Sequence, residues 1–313
     1  MRRHLRRVRD VGLRRVVIAL TVLAAIISAS LGGYIVSRES TNQETYFGDW
    51  DNPNRVDVTM WISRVDATSQ ALAVTVMDIR PLGSVADPPG TSSFAQDTTV
   101  ATEAIGTWRA QIKGGDSAPD IEQKVEAVGT VTDYPFDRYT SHLEVHATDA
   151  NGDELPVALT VLNTDPFFGI TATEQAQQAG GAAANLSIYR SMPTLIFAVF
   201  VMVLMLGLAL GAVVAAFYIL HWRRGLIFPA CSMMAAILFA LIPLRNAVPG
   251  NPPIGSIIDF GSFFIAEAVI SMALISSIVW GFRHQRSIER AESESETEPE
   301  PIGPAEEAPA EWR

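Results

Sequence analysis

The sequence predicts an α+β membrane protein: an exported antiparallel β-sandwich plus a bundle of four transmembrane helices, one before the sandwich and three after it. Three observations carry that expectation. Charged residues make up only 18% of the 313-residue chain, yet its formal charge is −11; a typical soluble domain carries about 25% charged residues, so apolar surplus and charge sit in separate regions. Four apolar runs reach the roughly 20 residues that a membrane-spanning helix needs. Between the first two runs the pattern changes to apolar–polar alternation, the period of a half-buried strand.

The chain opens with a basic segment, 1–15, holding seven arginines: Arg2, Arg3, Arg6, Arg7, Arg9, Arg14 and Arg15. The first apolar run, 16–37, follows directly and is expected to be an uncleaved signal anchor. A cleaved signal peptide is the alternative, given the small residues Ser28, Ala29 and Ser30, but the run continues to Val36, beyond the usual signal-peptide core.

The other runs cover 193–220, 225–244 and 257–282. Lipid offers no partner to backbone N–H and C=O groups, so all four should be helical. Arg223 and Arg224 lie between the second and third runs, and Arg283, Arg286 and Arg290 follow the fourth. The loop between the third and fourth holds only Arg245. The positive-inside rule is then satisfied with both termini cytoplasmic and 38–192 outside the cytoplasmic membrane.

Residues 38–192 hold 22 acidic and 9 basic side chains, a net charge of −13. In RVDVTMWIS the residues Val56, Val58, Met60 and Ile62 share one face, as do Leu72, Val74 and Val76 in ALAVTVMDI. AIGTWRAQI, KVEAVGTV, SHLEVHAT, LPVALTVL, FGITAT and LSIYR are further strands. The turn Asn151-Gly152-Asp153 closes a hairpin, and Glu174 to Asn185 is expected to be a mobile loop. Seven or eight such strands between Gly, Pro and Asp turns predict the sandwich. LSIYR enters the second span without a linker, which seats the sandwich rigidly. Residues 283–313 are acidic and proline-rich after Ala291, a composition that predicts a disordered cytoplasmic tail.

The acidic balance disfavours nucleic acid as a partner. The expected partners are the lipid bilayer and either further copies of the chain or other envelope proteins. The single cysteine, Cys231, excludes an intrachain disulfide and a multi-cysteine metal site. His142, Glu144 and His146 alternate on one strand face. Residues i and i+4 of a strand lie about 13 Å apart, so the two histidines cannot share an ion, and the face reads as solvated and polar. No cofactor, metal or catalytic residue is predicted, and a noncatalytic, receptor-like or scaffold role is expected. A channel-like or transport subunit is the alternative.

Two places remain as candidate sites. Tyr134, Pro135, Phe136, Asp137, Arg138 and Tyr139 read either as a packed turn or as a coupling loop resting on the membrane helices. The intramembrane polar residues are Glu267, Asp259, Arg245 and Ser232, with Arg245 and Asp259 expected to pair. Glu267 has no evident partner and either is protonated or lines a wet path. Gly207 and Gly211, like Ala25, Ala29 and Gly33, have the small-residue spacing of close helix packing.

YPFDRY, together with RNAVPGNPPIGSIIDF after the third span, resembles a family of uncharacterised four-span membrane proteins, mostly actinobacterial, built on a domain of unknown function; the resemblance implies no activity. More distantly, Tyr134–Asp137 is similar to the proline–aromatic–Asp turn of pentameric ligand-gated channels. The order of β-sandwich, final strand with an arginine (Arg190), and spans without a linker is similar too. Ala247-Val248-Pro249 through Pro252 and Asp259 looks like those channels' link after the pore helix. That resemblance implies a pore-lining third span, through Phe228, Ser232, Ala235, Phe239 and Ile242. The chain departs from the channels in having three spans after the sandwich rather than four, and an almost wholly apolar pore face.

Overall fold

The computed structural model describes residues 43–106, 108–174, 180–221 and 228–297, with scattered positions between 17 and 35. Most of the expected signal anchor, including Ala25, Ala29 and Gly33, lies outside the described residues, as do the basic start and 298–313. The described positions of the first run, such as Val17, Leu20 and Leu31, are helical and exposed.

Among the described residues, twelve strands form two sheets. The first has the order β1 (Gln43–Gly48), β10 (Val157–Asn163), β2 (Val56–Asp66), β3 (Ala71–Pro81), β6 (Ile121–Glu126). The second runs β11 (Phe168–Glu174), β12 (Ala182–Arg190), β8 (Arg138–Thr148), β4 (Thr98–Thr102), β5 (Trp108–Ile112). The two-residue strands β7 (Val128–Gly129) and β9 (Glu154–Leu155) both pair with β8.

The alternation seen in the sequence sets the core. Val56, Val58, Met60 and Ile62 of β2 are buried, and so are Leu72, Val74 and Val76 of β3. Leu143 and Val145 of β8 and Leu186 and Ile188 of β12 face them from the second sheet. Each such side chain contributes about 1.5–3 kcal/mol on burial.

The sandwich is not wholly antiparallel: β10 runs parallel to β2, Val157 opposite Val56 through Asn163 opposite Ile62. Only a hairpin forces antiparallel neighbours, and some ninety intervening residues separate this pair. β4 is absent from the expected strands because it turns threonines inward. Thr98 and Thr102 flank Val100 on the core side, so polar letters hide the alternation. The expected loop 174–185 is corrected at both ends. β11 includes Glu174, and β12 begins at Ala182, whose small side chain packs beside Gly48.

Three helices follow: α1 (Met192–His221), α2 (Phe228–Asn246) and α3 (Phe264–Thr297), the last entered through a π-helical turn at Asp259–Phe263. All three are long and apolar enough to cross a membrane. α3 runs past the expected start of the disordered tail, because the Arg-, Glu- and Ser-rich stretch after Phe282 still propagates a helix, with Gln285 bonded to Glu289 one turn on.

Two compact units result. Among the described residues, the first joins the chain up to Met202 with the α2–α3 linker, Asn246–Phe260, and the second holds those of Val203–Arg245 together with the chain from Gly261 to the end of α3. In the second unit α1 buries Met205, Ala209, Ala212, Ala216 and Ile219, and α3 buries Ala266, Ile270, Ala273 and Ser277. Gly207 and Gly211 are exposed, and a Cβ on either would meet nothing within 4 Å. The alanine stripe, not the glycine pair, is the buried face of α1.

Candidate functional site

The Tyr134–Tyr139 segment is the turn that leads into β8, of which Arg138 and Tyr139 are the first two residues. Tyr134 and Tyr139 are buried, whereas Phe136 is 56% exposed at the tip. A short 3₁₀ turn (Val131–Asp133) shapes the approach, and the N–H of Phe136 donates to the carbonyl of Asp133 at 2.8 Å. Proline presets the local φ, and the buried Tyr134 ring fills the corner.

Asp137 follows and has no access to solvent. It meets Arg190, the last residue of β12: Nε lies 2.9 and 3.0 Å from the two carboxylate oxygens, and the second terminal nitrogen (Nη2) donates to Oδ2 at 2.8 Å. The side chains are 0% and 2% exposed respectively. The Tyr139 hydroxyl donates to Oδ2 of Asp137 at 2.8 Å. Burial, together with that carboxylate, pushes the Tyr139 phenol well above its ordinary value, so it remains a donor.

Aromatic rings complete the surroundings. The guanidinium carbon of Arg190 sits 4.1 Å from the Phe168 ring centroid and 4.8 Å from that of Tyr134, a cation–π arrangement strengthened by the dry setting. A burial this complete is tolerable only because the charges are paired and the geometry is bidentate.

The remaining terminal nitrogen, Nη1, has no hydrogen-bond partner among the described residues. It points at Gly250 in the α2–α3 linker, where φ is +82°, and a Cβ at Gly250 would collide with it. A cleft of about 780 Å³ in this first unit is lined by Asp165, Phe168, Arg190, Val248 and Gly250. Two residues after Arg190, α1 begins.

Residues 46–188 match a domain of unknown function, DUF4436, and residues 190–284 match a second, DUF8686. No curated protein matches the chain. Asp137 lies in the stretch that matches DUF4436 and Arg190 opens the stretch that matches DUF8686, so the buried ion pair links the two matched stretches.

The polar candidates of the apolar helices fall on α2, on the π-helical turn before α3 and on α3 itself. Asp259 is buried and accepts from the backbone N–H groups of Gly255 (2.7 Å) and Ser256 (3.3 Å) and from the Ser256 hydroxyl, which fixes the turn that opens α3. Glu267 is half-buried in the first turn of α3, Ser232 is exposed on α2, and Arg245 lies in the last turn of α2.

His142, Glu144 and His146 do share one face of β8, but they are half-buried and engaged rather than simply solvated. His146 Nε2 lies 2.6 Å from Glu144 Oε1, and His142 Nδ1 lies 3.0 Å from Asn185 Oδ1 on β12. Glu103, just past β4, joins them: its carboxylate is 3.7 Å from His142 Nε2. The single-strand pattern carried no sign of Glu103, Asn185, Phe168 or Gly250, because each arrives from another part of the chain.

Proposed function

We propose that this chain is a noncatalytic integral membrane protein of the cell envelope, with a receptor-like or scaffold domain outside the cytoplasmic membrane. The Asp137–Arg190 pair carries the reading. It locks the Tyr134–Asp137 turn to the end of β12, two residues from the start of α1, so a load or ligand on the sandwich acts on the helix without a flexible linker. The clustering of the α2–α3 linker with the sandwich in one unit supports the same reading. The topology is tested with Cys231→Ser as background and a single cysteine at Asn151. Reaction of intact cells with a membrane-impermeant maleimide is the expected result; protection until the cells are lysed would refute an outside sandwich.

A channel-like or transport subunit is the second reading. It is favoured by α2, whose residues Phe228, Ser232, Phe239 and Ile242 are exposed along one face of the single chain, as a subunit lining a shared path would require. A ring-sized particle in detergent together with ion flux in proteoliposomes supports it, and a monomer without flux dismisses it.

A further inference from the structure

We propose that Glu103, His142 and Glu144 form a binding site for a divalent transition-metal ion of the zinc type on the second sheet of the sandwich, a site that stands apart from the functional reading above. One ligand atom from each lies within 4.8 Å of the others. His142 Nε2 is 3.7 Å from the Glu103 carboxylate and 3.8 Å from Glu144 Oε2. These separations are too long for hydrogen bonds. They are a few tenths of an ångström wider than the roughly 3.3–3.5 Å between ligand atoms around a tetrahedral ion with bonds of about 2.0–2.2 Å.

The strand register makes the arrangement costly without a cation. Thr102 is opposite Val145 in the β4–β8 ladder, and the N–H of Glu103 donates to the carbonyl of Glu144 at 3.1 Å. Two carboxylates are therefore directly opposed on one face, a pairing that destabilises a sheet unless a positive charge lies between them. No lysine or arginine is paired with either carboxylate among the described residues, and His142 reaches both.

The outer contacts prepare each ligand. Asn185 Oδ1 accepts from His142 Nδ1–H at 3.0 Å, which leaves the Nε2 lone pair turned towards the carboxylates. His146 Nε2–H occupies Oε1 of Glu144 at 2.6 Å, which leaves Oε2 free. Metal-ligating histidines and carboxylates are held in this way by second partners. One imidazole with two carboxylates suits zinc and its neighbours better than calcium or magnesium, which prefer oxygen alone. Glu103 and His142 also line an open cleft of about 580 Å³, so the remaining coordination positions are accessible to water or a ligand.

The test is calorimetric titration of the full-length, tag-free protein in detergent with zinc chloride after chelator treatment. One ion per chain is expected, with His142→Gln and Glu103→Gln each weakening binding about tenfold or more. His146→Gln should weaken it less, and His221→Gln and His284→Gln not at all; a far-ultraviolet spectrum unchanged in every variant shows that the fold survives. Absence of saturable binding, binding unaffected in His142→Gln and Glu103→Gln, or equal affinity for calcium would each overturn the proposal.

Discussion

Asp137 and Arg190, 53 positions apart in the chain, form a bidentate ion pair, 2.8 Å at its shortest, with almost no access to water. It joins the corner of the sandwich to the strand that becomes α1, and it is held by the hydroxyl of Tyr139 and by the rings of Tyr134 and Phe168. The energetic consequence is asymmetric, since pairing merely offsets desolvation whereas breaking the pair strands a buried charge.

Asp137→Asn should therefore destabilise the first unit by about 3–5 kcal/mol, and Arg190→Met by a similar amount. The double variant Asp137→Leu/Arg190→Met should lose far less than the sum, because no unpaired charge remains. Thermal unfolding in detergent measures all three, and strictly additive losses would show that the two residues do not act as a pair.

Gly250→Ala should cost about 1–3 kcal/mol, through its positive φ and through the collision of the new Cβ with the Arg190 guanidinium. Gly255 also has positive φ but faces open space, so Gly255→Ala should cost less. The difference between the two melting temperatures isolates the contact with Arg190.

Tyr139→Phe removes a hydrogen bond to a charged acceptor, about 1.5–3 kcal/mol. The folded protein holds the Tyr139 proton where the unfolded chain releases it near pH 10, so the unfolded state binds fewer protons and stability falls as pH rises past about 10. Denaturant unfolding between pH 9 and 11 should show a shallower decline in Tyr139→Phe than in the parent.

Ala212→Leu should disturb the helices by about 1–3 kcal/mol through overpacking, since Ala212 is wholly buried. Gly207→Leu and Gly211→Leu should be neutral or mildly stabilising, because both glycines face open space and leucine is the better helix former. Resistance to unfolding by sodium dodecyl sulfate orders the three variants.

Local pattern was enough for the apolar runs at 193–220, 225–244 and 257–282 and for the inward faces of β2 and β3. Period and length are properties of consecutive residues, and burial of those residues enforces them. The same limit explains the failures. Thr98 and Thr102 are inward-facing yet polar, the alanines of β12 are strand residues without strand-forming side chains, and the parallel pairing of β2 with β10 links segments some ninety residues apart.

The turn Tyr134–Tyr139 could be singled out from its proline, aspartate and aromatics, but its partner could not be derived from residue spacing. Whether Asp137 is a solvated turn residue or half of a buried ion pair depends on Arg190 arriving from β12. Whether His142 is a polar surface residue or a metal ligand depends on Glu103 arriving from just past the end of β4. In both cases the chemistry lies in the distance between side chains on different strands, and strand register, not sequence neighbourhood, sets that distance.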